Sequence, residues 1–334
     1  MKKRKLFHFF TLMIISMFVL SACGGNKTNI AIGPAASETQ SASKLILEAY
    51  DLKETDYKAY QESFGDAAEM IQDGNIDISM GVLGLPTSSI ESLQASAKDV
   101  KLLGLSDEAI DYIEKNSEYK RYTIPAGSYD FLDEDIETVT AFAVLMGNTD
   151  TIDEELGYQL AKTMIEHSEE NTHQMSKHMK LENALNGSEG LPIHPGAKRY
   201  YEEQGLKVDN PVAKVSADKS KRKKEFILGT GSQGGTYYPL GGEMANIWNK
   251  YLDDANITNT ETGASVENLA GLRDGNQDIA LSVHVPAIDA VKGKGEFKDN
   301  KADNIAFIGH IYPEVVQIVT REKSGINSLD EIGK

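Results

Sequence analysis

The sequence predicts an α/β protein built of two similar lobes. Short apolar runs alternate with amphipathic stretches, the pattern of parallel strands joined by right-handed helical crossovers. The same order of elements occurs twice, once from Ile30 and again from Phe226. A chain of 334 residues, 40% hydrophobic and 25% charged, has a globular balance and the length of about two domains.

In the first copy, Ile30-Ala31-Ile32 reads as a buried strand running into Gly33-Pro34-Ala35-Ala36. Ser37 and Gln40 have capping-box spacing, which predicts a helix to about Tyr50. A strand near Tyr57–Gln61 follows. A helix then runs from Ser63 to Gln72 and stops at the turn Asp73-Gly74-Asn75. Ile76–Met80 is the next strand, and Pro86-Thr87 opens another helix. In the second copy, Phe226-Ile227-Leu228 is a strand, 229–236 is a loop of small residues, and a helix spans Tyr238 to Leu252. A strand near Thr258–Thr262 leads to a helix capped by Ser265 and closed by Asp274-Gly275-Asn276. Gln277–Leu281 is a strand, and Pro286 opens the next helix. Each Asp-Gly-Asn turn is followed by x-Asp-Ile and later by a proline, as expected of two copies of one unit.

Between the copies, 208–224 is polar, basic and poor in large apolar residues, and reads as an exposed linker. At the other end, Ser328-Leu329-Asp330-Glu331 starts a helix too short to stand alone, so it must dock on something or have its natural continuation elsewhere in the chain.

The chain carries 34 Lys and Arg against 51 Asp and Glu, a net charge of −17. A polyanion would repel it, so a general nucleic-acid binder is excluded. Lys2, Lys3, Arg4 and Lys5 precede an apolar run from Leu6 to Leu20, shorter than a spanning helix and typical of a signal-peptide core. Leu20-Ser21-Ala22-Cys23-Gly24 resembles the lipobox of bacterial lipoproteins, in which the Cys is lipidated and becomes the mature N-terminus. Cleavage before Cys23 takes the net charge to −21 and places the body outside the cytoplasm on a lipid tether. With one cysteine, no internal disulfide framework or cysteine-built zinc site is possible.

Both small-residue loops lie between a strand and a helix start. There, free N–H groups and the positive end of the helix dipole favour an anion, and glycine allows close approach. Neither loop has the Gly-Lys-Ser/Thr of a phosphate-binding P-loop. The glycine spacing from Gly229 to Gly234 lacks the acidic residue a dinucleotide site needs. Tyr237 and Tyr312 adjoin loop-like stretches and are candidates for a cleft wall, while Tyr122, Tyr129, Tyr238 and Trp248 read as core. His167, His173 and His178 with Glu166, Glu169 and Glu170 read as a solvated helix face rather than a metal site. No nucleophile elbow is present, no cofactor is called for, and the chain is not expected to be an enzyme.

Gly229–Gly242, reading GTGSQGGTYYPLGG, resembles the opening motif of TAXI-type solute receptors of TRAP transporters. Ser265–Leu269, the Asp-Gly-Asn-x-Asp-Ile unit, Gly293–Phe297, Ile311-Tyr312-Pro313-Glu314 and Ser324-Gly325-Ile326 continue the resemblance. Gly33–Gln40, Gly84-x-Pro86-Thr87, Thr123–Tyr129, Leu181–Leu185 and Pro192–Ala197 resemble the later parts of that family. The later parts here come first, so the chain resembles a circular permutant of the family. The resemblance implies a two-lobed type II periplasmic-binding-protein fold, circularly permuted. It divides the chain into a leader (1–22), a lipid-anchored tether (23–27), the main part of a second lobe (28–121), a first lobe in two pieces (122–207 and 225–321) joined by the linker 208–224, and a crossover into the second lobe (322–334). It further implies hinge closure on a small carboxylate or amino acid, which TRAP transporter membrane subunits then take up. The binding role maps onto Gly231, Gly234, Tyr237 and Tyr312 in the first lobe, and onto Ser37, Thr39, Pro86 and Thr87 in the second. Where many members carry Val-Gln-Ser-Asp, this chain has Ser282-Val283-His284-Val285. His284 thus becomes a candidate ligand contact, and a glutamate-like ligand comes into doubt. Two rival functions remain open: a surface lipoprotein that senses a ligand for a membrane partner, and an enzyme on the same fold using His284.

Overall fold

A computed structural model describes residues 27–333 of the chain. The leader and Cys23 lie outside the described residues.

The first copy of the repeat folds as β1 (Thr28–Ala31), α1 (Glu38–Ala49), β2 (Tyr57–Tyr60), α2 (Phe64–Asp73), β3 (Ile78–Leu83) and α3 (Ser88–Ala97). Ser37 Oγ accepts from Gln40 N at 3.1 Å and starts α1, as its spacing predicts. Ser63 does the same for α2, accepting from Asp66 N, and Gly74 ends that helix in the left-handed conformation. β4 (Val100–Leu103), α4 (Asp107–Asn116), β5 (Lys120–Ile124) and the 13-residue β6 (Ile136–Asn148) come next. They are followed by α5 (Glu154–Glu166) and α6 (Pro195–Glu203). The second copy is β7 (Glu225–Gly229), α7 (Tyr237–Tyr251), β8 (Asn256–Thr260), α8 (Ser265–Arg273), β9 (Ile279–Val283) and α9 (His284–Lys292), and the 17-residue β10 (Ile305–Arg321) completes the set.

The ten strands among the described residues form one sheet, eight of them along the path β2-β1-β3-β10-β6-β9-β7-β8, with β4 pairing β10 and β5 pairing β6. Read from either edge, the order is the same: the repeat's second, first and third strands, then a long antiparallel strand. β1 pairs in parallel with β2 and β3, and β7 pairs in parallel with β8 and β9. The expectation of purely parallel sheets is corrected here. β10 runs antiparallel to β3 and β6, and β6 antiparallel to β9. The reason is connectivity: β6 and β10 each run through both halves, so their pairing from Ile305↔Asn148 to Val315↔Thr140 joins them.

The packing follows this division. One core gathers α5 to α9 around the strands of the second copy and the start of β10, with Trp248, Tyr200, Tyr201, Phe226 and Phe307 buried in it. Two further cores cover the two faces of the other half. α1 and α4 contribute Ile46, Leu47, Ile110 and Ile113 to one, and α2 and α3 contribute Phe64, Ile71, Ile90 and Leu93 to the other. The later part of β10, Val315 to Val319, is buried in both. The molecule therefore has two lobes, each one half of the sheet covered by helices.

Several local expectations shift. Ser265 is the first residue of α8 rather than its cap. Ala264, at φ 73°, precedes the helix, and Ser265 Oγ accepts from Val283 N at 3.0 Å. α9 begins at His284, two residues before Pro286. Tyr312 sits within β10 rather than beside a loop. The segment 208–224 is largely exposed but tied down. Ile193 bridges Val212, and Ser216 N donates to Thr149 O at 2.9 Å. Arg222 makes two hydrogen bonds to Asp153, at 2.6 and 2.7 Å, and Asp153 also caps α5 through Leu156 N. Both side chains of this pair are nearly buried. Burial pushes the Asp153 carboxyl up, but Arg222 and the Leu156 N–H outweigh it and hold the carboxyl below its ordinary range. At the other end, Ser328 caps a single 3-10 turn, and Leu329 and Ile332 fill the α1–α4 core. The terminal segment docks as expected.

Removing one partner of a buried ion pair leaves the other uncompensated. Arg222→Ala is therefore expected to cost about 3 kcal/mol in denaturant unfolding. Leu329→Ala is expected to cost about 3 kcal/mol through the cavity it opens, read as a lowered Tm.

Candidate functional site

The two strand–loop–helix corners meet at one place. The β1–α1 corner contributes Pro34 and Ser37 from the loop and Thr39 from the first turn of α1, and the β7–α7 loop contributes Gly231, Ser232 and Thr236. The β8–α8 turn adds Thr262 to Ser265, and β10 adds Tyr312 and Glu314. Together they enclose a cavity of about 60 Å³, room for about two water molecules. The starts of α1, α7 and α8 all reach its wall.

The lobes touch across the cleft. Gly84 N donates to Thr236 Oγ1 at 3.2 Å, Ser89 Oγ donates to the Gly234 carbonyl at 2.8 Å, and Glu267 N donates to the Ala36 carbonyl at 3.1 Å. Gly234 packs directly on Gly65, and a Cβ placed on Gly234 would lie 2.7 Å from the Gly65 Cα. Glycine is needed here because two backbones meet. Gly33 is needed for another reason: at φ 91° it turns the chain from β1 toward α1, where a Cβ would strike the Thr39 side chain.

Of the residues singled out from the sequence, Ser37, Thr39, Gly231, Tyr237 and Tyr312 line the cavity, and Gly234, Pro86, Thr87 and His284 do not. Tyr237 and Tyr312 stand edge to face, with ring centroids 6.2 Å apart. Gly234 lies at the lobe contact. Thr87 caps α3 by position, and its N–H donates to the Tyr129 hydroxyl at 3.0 Å. Gln174 Nε2 donates to the Pro86 carbonyl at 2.8 Å. His284 is buried against Phe142, whose backbone N–H donates to its Nδ1 at 3.1 Å, and burial pulls it down to about 4. His167 stacks on Tyr251 and pairs with Glu170 at the surface. No group of residues able to hold a metal occurs among the described residues.

Two acids were not foreseen. Glu38, the first residue of α1, and Glu314, in the middle of β10, are 5% and 2% exposed. Tyr119 donates to Glu38 Oε1 at 2.8 Å, and Tyr312 donates to Glu314 Oε1 at 2.8 Å. Among the described residues, the buried Glu314 Oε2 and the Tyr237 hydroxyl have no hydrogen-bond partner. Burial raises Glu38 to about 8, opposed by the Tyr119 bond and reinforced by Asp289 and Glu314. The start of α1 favours the ionised form by about 0.5 kcal/mol, too little to reverse burial. Burial likewise raises Glu314 to about 8, opposed by the hydrogen bond from Tyr312 and by the nearby Tyr237 hydroxyl. At neutral pH both carboxyls are mainly protonated. Glu314 had a visible signal: it is the one acid in the apolar run from Ile305 to Val319. Glu38 had none, because an acid in the first turn of a helix is ordinary at a surface.

These features define a class: a two-lobed α/β protein with a small cavity between its lobes, lined by both apolar and polar groups. The chain belongs to the NMT1-like family, whose profile matches residues 23–205 and 228–334. Similar solved structures include a phosphate-binding protein of a phosphate ABC transporter from Streptococcus pneumoniae, at 10% identity and TM-score 0.37 over 92% of this chain and 97% of that one. An ancestral arginine-binding protein bound to arginine aligns at 10% identity and TM-score 0.38 over 91% and 90%. A binding-protein component of a phosphonate ABC transporter from Pseudomonas aeruginosa aligns at 10% identity and TM-score 0.40 over 88% and 68%. No helix among the described residues is long and apolar enough to cross a membrane.

The two acids predict a pH dependence. A carboxyl whose folded value lies above its unfolded value binds its proton more tightly when folded. Its contribution is complete below about pH 4.5 and is lost as pH rises through about 8. His284 and His310, pulled down to about 4 and about 3 by burial, act in the opposite sense. Their contribution is complete above 6.5 and lost as pH falls. Stability should therefore decline from about pH 6.5 to 8, on the order of 1 kcal/mol per pH unit for each carboxyl. Glu314→Gln should flatten that slope in unfolding curves collected across the range.

Proposed function

We propose that this chain is an extracytoplasmic solute receptor that binds a small organic acid or amino acid between its lobes by hinge closure. One observation carries the reading: two equivalent strand–loop–helix corners, one from each lobe, close on a single buried cavity with three helix starts in its wall. Helix starts and the carboxyl ends of strands are where open α/β sheets hold small anions. The strands β6 and β10 supply the hinge. β10 has register irregularities between Phe307 and Gly309 and between His310 and Tyr312, with Pro313 next to the second, where the two lobes join.

Within this reading, Ser37, Thr39, Gly231, Tyr237 and Tyr312 contact the ligand. Gly234, Pro86 and Thr87 shape the surfaces that meet on closure, and His284 positions the Phe142 backbone. The transporter is of the TRAP type, as the TAXI-like motifs suggest, and Cys23 carries the lipid that holds the receptor at the membrane. The order of segments is rotated relative to the TAXI pattern. In support, the two stretches matched by the family profile are separated at 206–227, across the basic linker. Gly333 also packs on Asp56, the neighbour of Tyr57, which pairs with Thr28.

A thermal-shift screen of carboxylates, oxo acids and amino acids should find a stabilising ligand, and folded protein unmoved by all of them would sink the reading. Gly234→Ala should separate the lobes where they now touch. It should weaken ligand binding by about tenfold or more with little change in unliganded Tm, and small-angle scattering should show the liganded protein failing to compact.

A further inference from the structure

We propose that the cleft selects ligands carrying a protonated amine, which sits against Glu38 and Glu314, and that it rejects dicarboxylates. This rests on the receptor reading and names its ligand class. Both acids line the cavity and both side chains are buried, Glu38 at the start of α1 in one lobe and Glu314 in β10, the central strand that joins the lobes. Glu314 Oε2 and the Tyr237 hydroxyl are buried without partners among the described residues, so this wall has hydrogen-bonding capacity that the protein leaves unused. An unpaired buried polar atom is costly, and a ligand group that satisfies it gains that cost back in affinity. Every titratable group facing the pair is a phenol or an acid. Tyr119, Asp289 and Glu314 face Glu38, while Tyr312, Tyr237 and Glu38 face Glu314. No Lys or Arg lines this cavity, so a second carboxylate would meet no countercharge there. An ammonium supplies the positive charge the pair lacks. A single carboxylate on the same ligand can turn to the starts of α7 and α8 at Thr236 and Ser265, which also line the cavity.

The protonated state of the two acids gives this selection a proton signature. An ammonium beside them favours the ionised carboxylate, so binding near neutral pH releases protons, about one per ligand. Affinity should rise with pH between 6 and 8, while the ligand amine itself stays protonated.

The test uses the L-amino acids, each matched with its 2-oxo acid, together with succinate, on the full chain by calorimetry in two buffers of different ionisation enthalpy. The expected result is at least one amino acid bound about 30-fold or more tighter than its oxo partner, with proton release and no binding of succinate. Glu314→Gln and Glu38→Gln, confirmed folded by circular dichroism, should each shrink the amino-over-oxo preference and the proton release. If oxo acids or succinate bind as well as the amino acids, this inference is overturned while the receptor reading stands. If an amino acid binds with unchanged preference to both variants, the inference is overturned as well. If none of these compounds binds, the inference and the receptor reading both fall.

Discussion

The fold depends on the pairing of β6 with β10. These two strands are the only ones among the described residues that pass through both halves of the sheet, and they lie side by side at its centre. On one side of the pair β10 carries β3, and on the other β6 carries β9. Each lobe is thus hung on the opposite edge of a two-stranded ribbon. Both strands are buried on both faces for most of their length, which is why they read as near-continuous apolar runs.

The cavity follows from that arrangement. The two copies of the repeat place their first loops at equivalent corners, and the central ribbon turns those corners toward each other. Tyr312 and Glu314 come from the ribbon itself, at the level where the lobes meet. The same constraint explains the charge state of the site. An acid in the middle of a central strand is almost wholly buried, and its neighbours are tyrosines that can donate hydrogen bonds but no charge. With a net charge of −17 over the whole chain, carboxyls held neutral in the cleft add no further negative charge there.

The segment between the copies shows a second use of electrostatics. Its basic residues look like a solvated run, yet Arg222 reaches the cap of α5 and Lys223 pairs with the buried Asp278 at 2.7 Å. Two ion pairs with buried acids therefore pin an otherwise polar strap across one lobe. Surface charges elsewhere, such as Lys207 with Asp209, are exposed and add little.

Local signals in the sequence determined the elements of the repeat. The caps at Ser37 and Ser63, the left-handed Gly74 and the two Asp-Gly-Asn turns act within a few residues, so their chemistry is the same in any fold. They also marked the two loops beside the cavity, while the five wall residues, Tyr312 in β10 among them, were singled out through the family resemblance. Only the tertiary structure decided the rest. The starts of α8 and α9 moved because Ser265 found a partner in Val283 and His284 found one in Phe142, contacts 18 and 142 residues away. The antiparallel central ribbon joins segments more than 150 residues apart, and strands buried on both faces carry no period that would reveal their pairing. Glu38 and Glu314 became a site for the same reason: their chemistry is set by burial, and burial belongs to the packed molecule rather than to any stretch of its chain.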